Sequence, residues 1–134
     1  MKTFIYRFIL CGAAGWCMEC LWTGICALFQ KDPVLTCRTS LWMFPIYGMA
    51  AFIYPISLLL QNQSFFIRGL IYMIFIYLAE YITGFILQHF HVCPWYYGAG
   101  HISLNGLICL EYAPLWFLAG LFFEWILHHA PIPA

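Results

Sequence analysis

The feature that most constrains this chain is a series of apolar stretches, each long enough to cross a bilayer. Between Phe4 and Phe29 the only charged residues are Arg7 and Glu19, and about 20 apolar residues make one crossing. Further stretches follow at about 41–60, 65–90 and 105–128. Hydrocarbon offers no water to backbone N–H and C=O groups, so such stretches must bond internally and fold as helices. The sequence predicts an all-α membrane protein: a bundle of about four transmembrane helices, with a non-helical or re-entrant segment before the last helix. One transmembrane domain over 1–134 is expected, multi-pass, in the cell membrane, with membrane lipid as its immediate partner.

Composition matters here for what it excludes. Charged residues make up 7% of the chain, against roughly 25% in an average soluble protein. Aromatic residues reach 21%, which suits the interfacial belts of membrane proteins. Net charge is zero, so no electrostatic grip on nucleic acid is expected.

The boundaries follow from breakers. Lys2 and Arg7 precede an apolar run in which Cys11–Gly15 supplies small residues, as at a signal-peptide cleavage site. The run continues to Phe29, so it reads as a retained first helix ended by Gln30-Lys31-Asp32-Pro33. Pro45 and Pro55 predict a kink in the second helix. Gln61-Asn62-Gln63-Ser64 reads as a polar hairpin turn. In 91–104, Pro94 and the glycines oppose a regular helix, while Trp95, Tyr96 and Tyr97 suit headgroup depth. Lys2, Arg7 and Arg68 lie on one side against Lys31 and Arg38 on the other, which favours cytoplasmic termini.

Glu19, Glu80, Glu111 and Glu124 all fall inside the apolar stretches. A carboxylate at the centre of a membrane helix costs about 2.5–3.5 kcal/mol on insertion scales. They must be protonated, or paired with cations and donors inside the bundle. Arg38 is the expected cation, because Lys2, Arg7 and Arg68 sit near helix ends and can snorkel. Gly15, Glu19, Trp22, Thr23 and Cys26 share one face of the first helix, and Glu80, Thr83 and Gly84 share one face of the third. Asn105 and Glu111 fall about two turns apart on the expected fourth helix. These faces can converge on a polar cavity. Interhelical hydrogen bonds contribute only about 0.6 kcal/mol on average, too little to account for three buried acids as simple glue. Glu124, one turn from His128, is expected to be hydrated near the interface.

Cys11, Cys17, Cys20, Cys26 and Cys109 fall in apolar stretches and read as small packing residues. Cys17 and Cys20 form a CxxC without the loop context of a zinc or redox site. Cys37 and Cys93 lie in loops on one side and could pair in an oxidising compartment. His89, His91 and Cys93, with His101 nearby, resemble a ligand set, but i and i+2 on a helix face different ways. No nucleophile elbow, Walker A or HExxH motif is present. No catalytic residue, metal or cofactor is therefore assigned.

Several motifs carry a family resemblance: Gly15-Trp16-Cys17-Met18-Glu19, Pro45-Ile46-Tyr47-Gly48, Glu80 through Leu87, Cys93-Pro94-Trp95-Tyr96-Tyr97, and Asn105 through Tyr112. In order and spacing the chain resembles the small bacterial membrane proteins labelled Putative ABC-transporter type IV permeases. It is still more similar to their transmembrane protein 229 branch. Two departures stand out. The family's tryptophan is usually followed by Asp-Tyr, where this chain has Tyr96-Tyr97, and its Arg-Gly is here Arg38-Thr39. The resemblance implies a four-helix transport component that needs oligomerisation or a partner ATPase subunit.

The expected function is a transporter-like or permease-like membrane protein whose intramembrane polar site takes a small solute, ion or lipid headgroup. The candidate binding residues are Glu19, Arg38, Tyr47, Glu80, Thr83, Trp95, Asn105 and Glu111. The competing readings are a membrane-embedded lipid-modifying enzyme, with a carboxylate base and Arg38 on a phosphate, and a structural or assembly subunit.

Overall fold

A computed structural model describes residues 1–132. Helix α1 spans Lys2–Phe29, α2 Met43–Gly48, α3 Ile53–Leu59, α4 Phe65–His89 and α5 Ala113–His129. A 3-10 turn at Met49–Phe52 joins α2 to α3, and another at Leu110–Tyr112 leads into α5. The strands β1, Ser103–Leu104, and β2, Ile108–Cys109, form an antiparallel hairpin. Three helical segments are long and apolar enough to cross a membrane: Lys2–Phe29, Phe65–His89 and Leu110–His129. Only about a fifth of each is buried within the protein, from 17% to 22%. Ile5, Ile9, Leu21, Ile74, Leu78, Ile82 and Leu118 instead point outward, as side chains solvated by lipid do. The chain is an all-α membrane protein.

Local chemistry sets the helix ends. At the end of α1, Lys31 adopts a left-handed φ of 61°. The Lys31 N–H then donates to Leu28 O and the Asp32 N–H to Ala27 O. At the end of α4, His91 does the same with φ 59°, its N–H reaching Gln88 O while Val92 N–H reaches Leu87 O. Both are Schellman closures that occupy carbonyls a helix end would otherwise orphan. Ser64 caps α4 by accepting from Ile67 N–H, and Pro114 sits in the first turn of α5, where no N–H is needed.

Where a kink was expected, the helix type changes. Pro55 has no N–H and crowds the carbonyl four residues back, at Ala51. The chain is 3-10 at Met49–Phe52 before resuming α geometry. The same turn marks the boundary between two compact units, Met1–Met49 and Ala50–Pro131.

In the first unit, α2 lies against α1 through small residues. A Cβ on Gly15 would overlap the Tyr47 ring; on Gly12 it would meet Phe44, and on Gly48 the Phe8 ring. Small residues let membrane helices approach closely enough for dispersion contacts to hold them. The strap before α2 is tied to α1 by Trp16 Nε1–H donating to Ser40 O at 3.0 Å.

In the second unit, α4 and α5 run antiparallel. Phe117 fills the space beside Gly69, and Tyr72 the space beside Gly120. Tyr72, Phe123, Ile53 and Leu107 are among its fully buried side chains. Where a fourth helix was expected from residue 105, the structure has a hairpin instead, and α5 begins at Ala113. Asn105 and Gly106 both take positive φ, 55° and 71°, the conformation an Asn-Gly hairpin turn demands. The apolar run Leu107–Leu110 continues smoothly into α5, so hydrophobicity alone masks the break.

Candidate functional site

The first unit carries Glu19, Arg38 and Tyr47. Glu19 projects from α1, with the side chains of Tyr47 and Thr39 near its carboxylate. Arg38 N–H donates to Thr23 Oγ1 at 2.9 Å, and the Thr23 hydroxyl donates onward to Glu19 O. Arg38 therefore enters the group through its backbone. Arg38 was the expected cation for the acids; a cation that meets one is Arg68, against Glu124, while His101 Nδ1 lies 3.3 Å from Glu111 Oε2. The Cys20 thiol faces that of Cys37. All seven cysteines, Cys37 and Cys93 included, are free.

In the second unit the polar groups fall at both ends of the α4–α5 pair. At the hairpin end, Glu80 is 9% exposed and accepts a 2.8 Å hydrogen bond from Tyr97 Oη. Trp95 Nε1–H donates to Leu107 O at 2.8 Å, and its ring lies against Gly84. Tyr77 donates to Cys109 O at 2.8 Å. Asn105 Nδ2 donates to Tyr81 Oη at 2.9 Å, so the turn of the hairpin is pinned to α4. Thr83 spends its hydroxyl on Ala79 O within α4. Glu111 sits in the 3-10 turn before α5, and Asn105 in the hairpin, so they are not two turns apart on one helix.

At the opposite end, a cavity of about 480 Å³ opens among α3, α4 and α5, with Ser57, Gln61, Arg68, Glu124 and His128 in its wall. Arg68 Nε stands 3.1 Å from Glu124 Oε1, with both side chains mostly covered. Glu124 is thus paired rather than merely hydrated. Arg68 also donates to Gln63 O, which holds the guanidinium in place. Ser57 Oγ donates to Tyr54 O at 2.6 Å and lies 2.7 Å from His128 Nε2. The Ser57 hydroxyl thus links the Tyr54 carbonyl to the His128 ring, the direction of the second contact following the imidazole tautomer.

The family described as Putative ABC-transporter type IV matches residues 6–132. The chain belongs to this family. No solved structure matches it. In this type IV family member, Glu80 and Glu111 stood out as acids in apolar stretches, Asn105 by its expected spacing from Glu111, and Trp95 by its suitability for headgroup depth. The structure gathers these at one end of α4–α5, while Glu19, Arg38 and Tyr47 form a group in the first unit. Sequence reasoning missed Arg68–Glu124 and Ser57–His128, because each partner lies on a different helix and no spacing links them. Tyr97 carried a signal, since it closes the Cys93-Pro94-Trp95 motif.

Proposed function

We propose that this protein is a transporter-like membrane component, multi-pass in the cell membrane, that binds a compact zwitterion: a small solute or a lipid headgroup. The observation that carries the reading is the 480 Å³ cavity walled by Arg68, Glu124 and His128. Its fixed cation and fixed anion, 3.1 Å apart, match a ligand bearing both charges. In a site partly shielded from water such groups discriminate more strongly than at an open surface. The family description supports transport, and Glu80 with its Tyr97 donor supplies a second polar station on the same helix pair. Arg68 and Glu80 are twelve residues apart on α4, about 18 Å at 1.5 Å per residue. The chain has no Walker A motif, so ATP-driven work would draw on a partner ATPase subunit.

Purified protein in proteoliposomes, tested with a panel of radiolabelled zwitterions, small anions and cations, checks the reading. At least one compact zwitterion is expected to bind saturably, with Arg68→Met or Glu124→Gln weakening it tenfold or more. Binding no greater than to empty liposomes, or binding indifferent to both substitutions, overturns it.

A further inference from the structure

The hairpin before α5 brings three metal-ligating side chains together. His101 Nδ1 lies 3.3 Å from Glu111 Oε2 and 3.8 Å from Cys109 Sγ, and all three ligand atoms fall within 4.8 Å of one another. A tetrahedral zinc ion with ordinary bond lengths has N···O and N···S edges of about 3.3 and 3.6 Å. These two separations therefore lie close to two edges of one coordination polyhedron.

The surroundings hold the ligands rather than merely crowd them. Ser103 pairs with Cys109 across the hairpin, and Leu110 N–H donates to Ile102 O, a register that sets His101 opposite Glu111 and diagonal to Cys109. Ile102 N–H donates to Glu111 Oε1 at 3.1 Å, which leaves Oε2 turned toward the imidazole. Tyr77 holds the Cys109 carbonyl, and the Tyr97 ring meets His101 edge-on. Outer contacts of this kind orient ligands and set their affinity. Cys109 is fully buried, whereas His101 and Glu111 are 42% and 43% exposed, so one side is open for the ion to enter and for a fourth ligand from water.

We infer that His101, Cys109 and Glu111 form an exchangeable site for a zinc-class divalent ion. The inference stands on the hairpin's own geometry, apart from the zwitterion cavity at the other end of α4–α5. One thiolate, one imidazole and one carboxylate suit zinc and select against magnesium and calcium, which prefer all-oxygen shells. Binding releases the Cys109 proton to water, uses the His101 Nδ1 lone pair while Nε2 keeps its hydrogen, and takes Glu111 as carboxylate.

The test is an anaerobic Co²⁺ titration of the full chain in detergent after treatment with a chelator. One Co²⁺ per chain is expected, with thiolate-to-cobalt charge-transfer absorption and the d–d bands of tetrahedral coordination, all displaced by Zn²⁺. Cys109→Ser removes the charge-transfer band, whereas Cys37→Ser and Cys93→Ser retain it. Because Cys109 is buried, Glu111→Gln and His101→Ala on half-exposed positions keep the test decisive if Cys109→Ser does not fold. Each is expected to weaken Co²⁺ binding tenfold or more. Absence of the band from the unaltered protein, or a titration unmoved by Glu111→Gln and His101→Ala, overturns the inference.

Discussion

At the scale of single residues, the acids inside the apolar stretches are answered one by one. Glu80 receives Tyr97, Glu124 receives Arg68, and Glu19 has Tyr47 and Thr39 near its carboxylate. Tyr97→Phe removes a donor from a buried carboxylate, and a double-mutant cycle with Glu80→Gln measures the coupling. It is expected at about 0.6–1.7 kcal/mol, the range of interhelical hydrogen bonds in membranes, and zero coupling in reversible unfolding would contradict the contact. For the ion pair, Arg68→Met is expected to cost about 1–3 kcal/mol, between exposed and buried pairs. The double variant Arg68→Met/Glu124→Leu should recover part of this loss, because the single change strands a carboxylate; equal or additive losses would argue against pairing. The acids were legible from sequence because a charge in an apolar run is costly wherever it falls. Their partners were less so. Arg68 near a helix start reads as a snorkelling cation, and only the fold shows Glu124 arriving from another helix to meet it.

At the scale of elements, helix existence was legible from the apolar runs, and the caps at Lys31 and His91 fit the polar breaks that follow. The last boundary was obscured. Asn105-Gly106 is a strong hairpin signal, but the apolar residues after it share the hydropathy of α5, and hydropathy does not separate a short strand from a buried helix turn. The glycine contacts belong to this scale too. Gly69→Ala or Gly120→Ala drives a methyl group into Phe117 or Tyr72, and overpacking of this kind costs about 1–3 kcal/mol. A Cβ at Gly98 comes no nearer than 3.8 Å to any other side chain, so Gly98→Ala serves as the tolerated control. Thermal unfolding in detergent reads the difference, and equal melting temperatures for the three variants would show that α4 and α5 are not held this closely.

At the scale of the whole molecule, membrane character follows from three long apolar helices whose surfaces are mostly turned outward, and family membership from a match over residues 6–132. Both were visible in the sequence, since apolar length and motif order survive without coordinates. The grouping of polar residues was not, because it depends on which helices lie side by side. The close fit of Phe117 on Gly69 and Tyr72 on Gly120 has a mechanical consequence. Large rings seated in notches of the opposing backbone act as two detents spaced along one helix pair. Sliding α4 past α5 by a turn, about 5.4 Å, would have to unseat both rings together and press them against bulkier neighbours. Axial ratcheting between these helices is thereby opposed, and any working stroke must carry α4 and α5 as a single rigid piece, with the cavity at one end and the hairpin at the other travelling together.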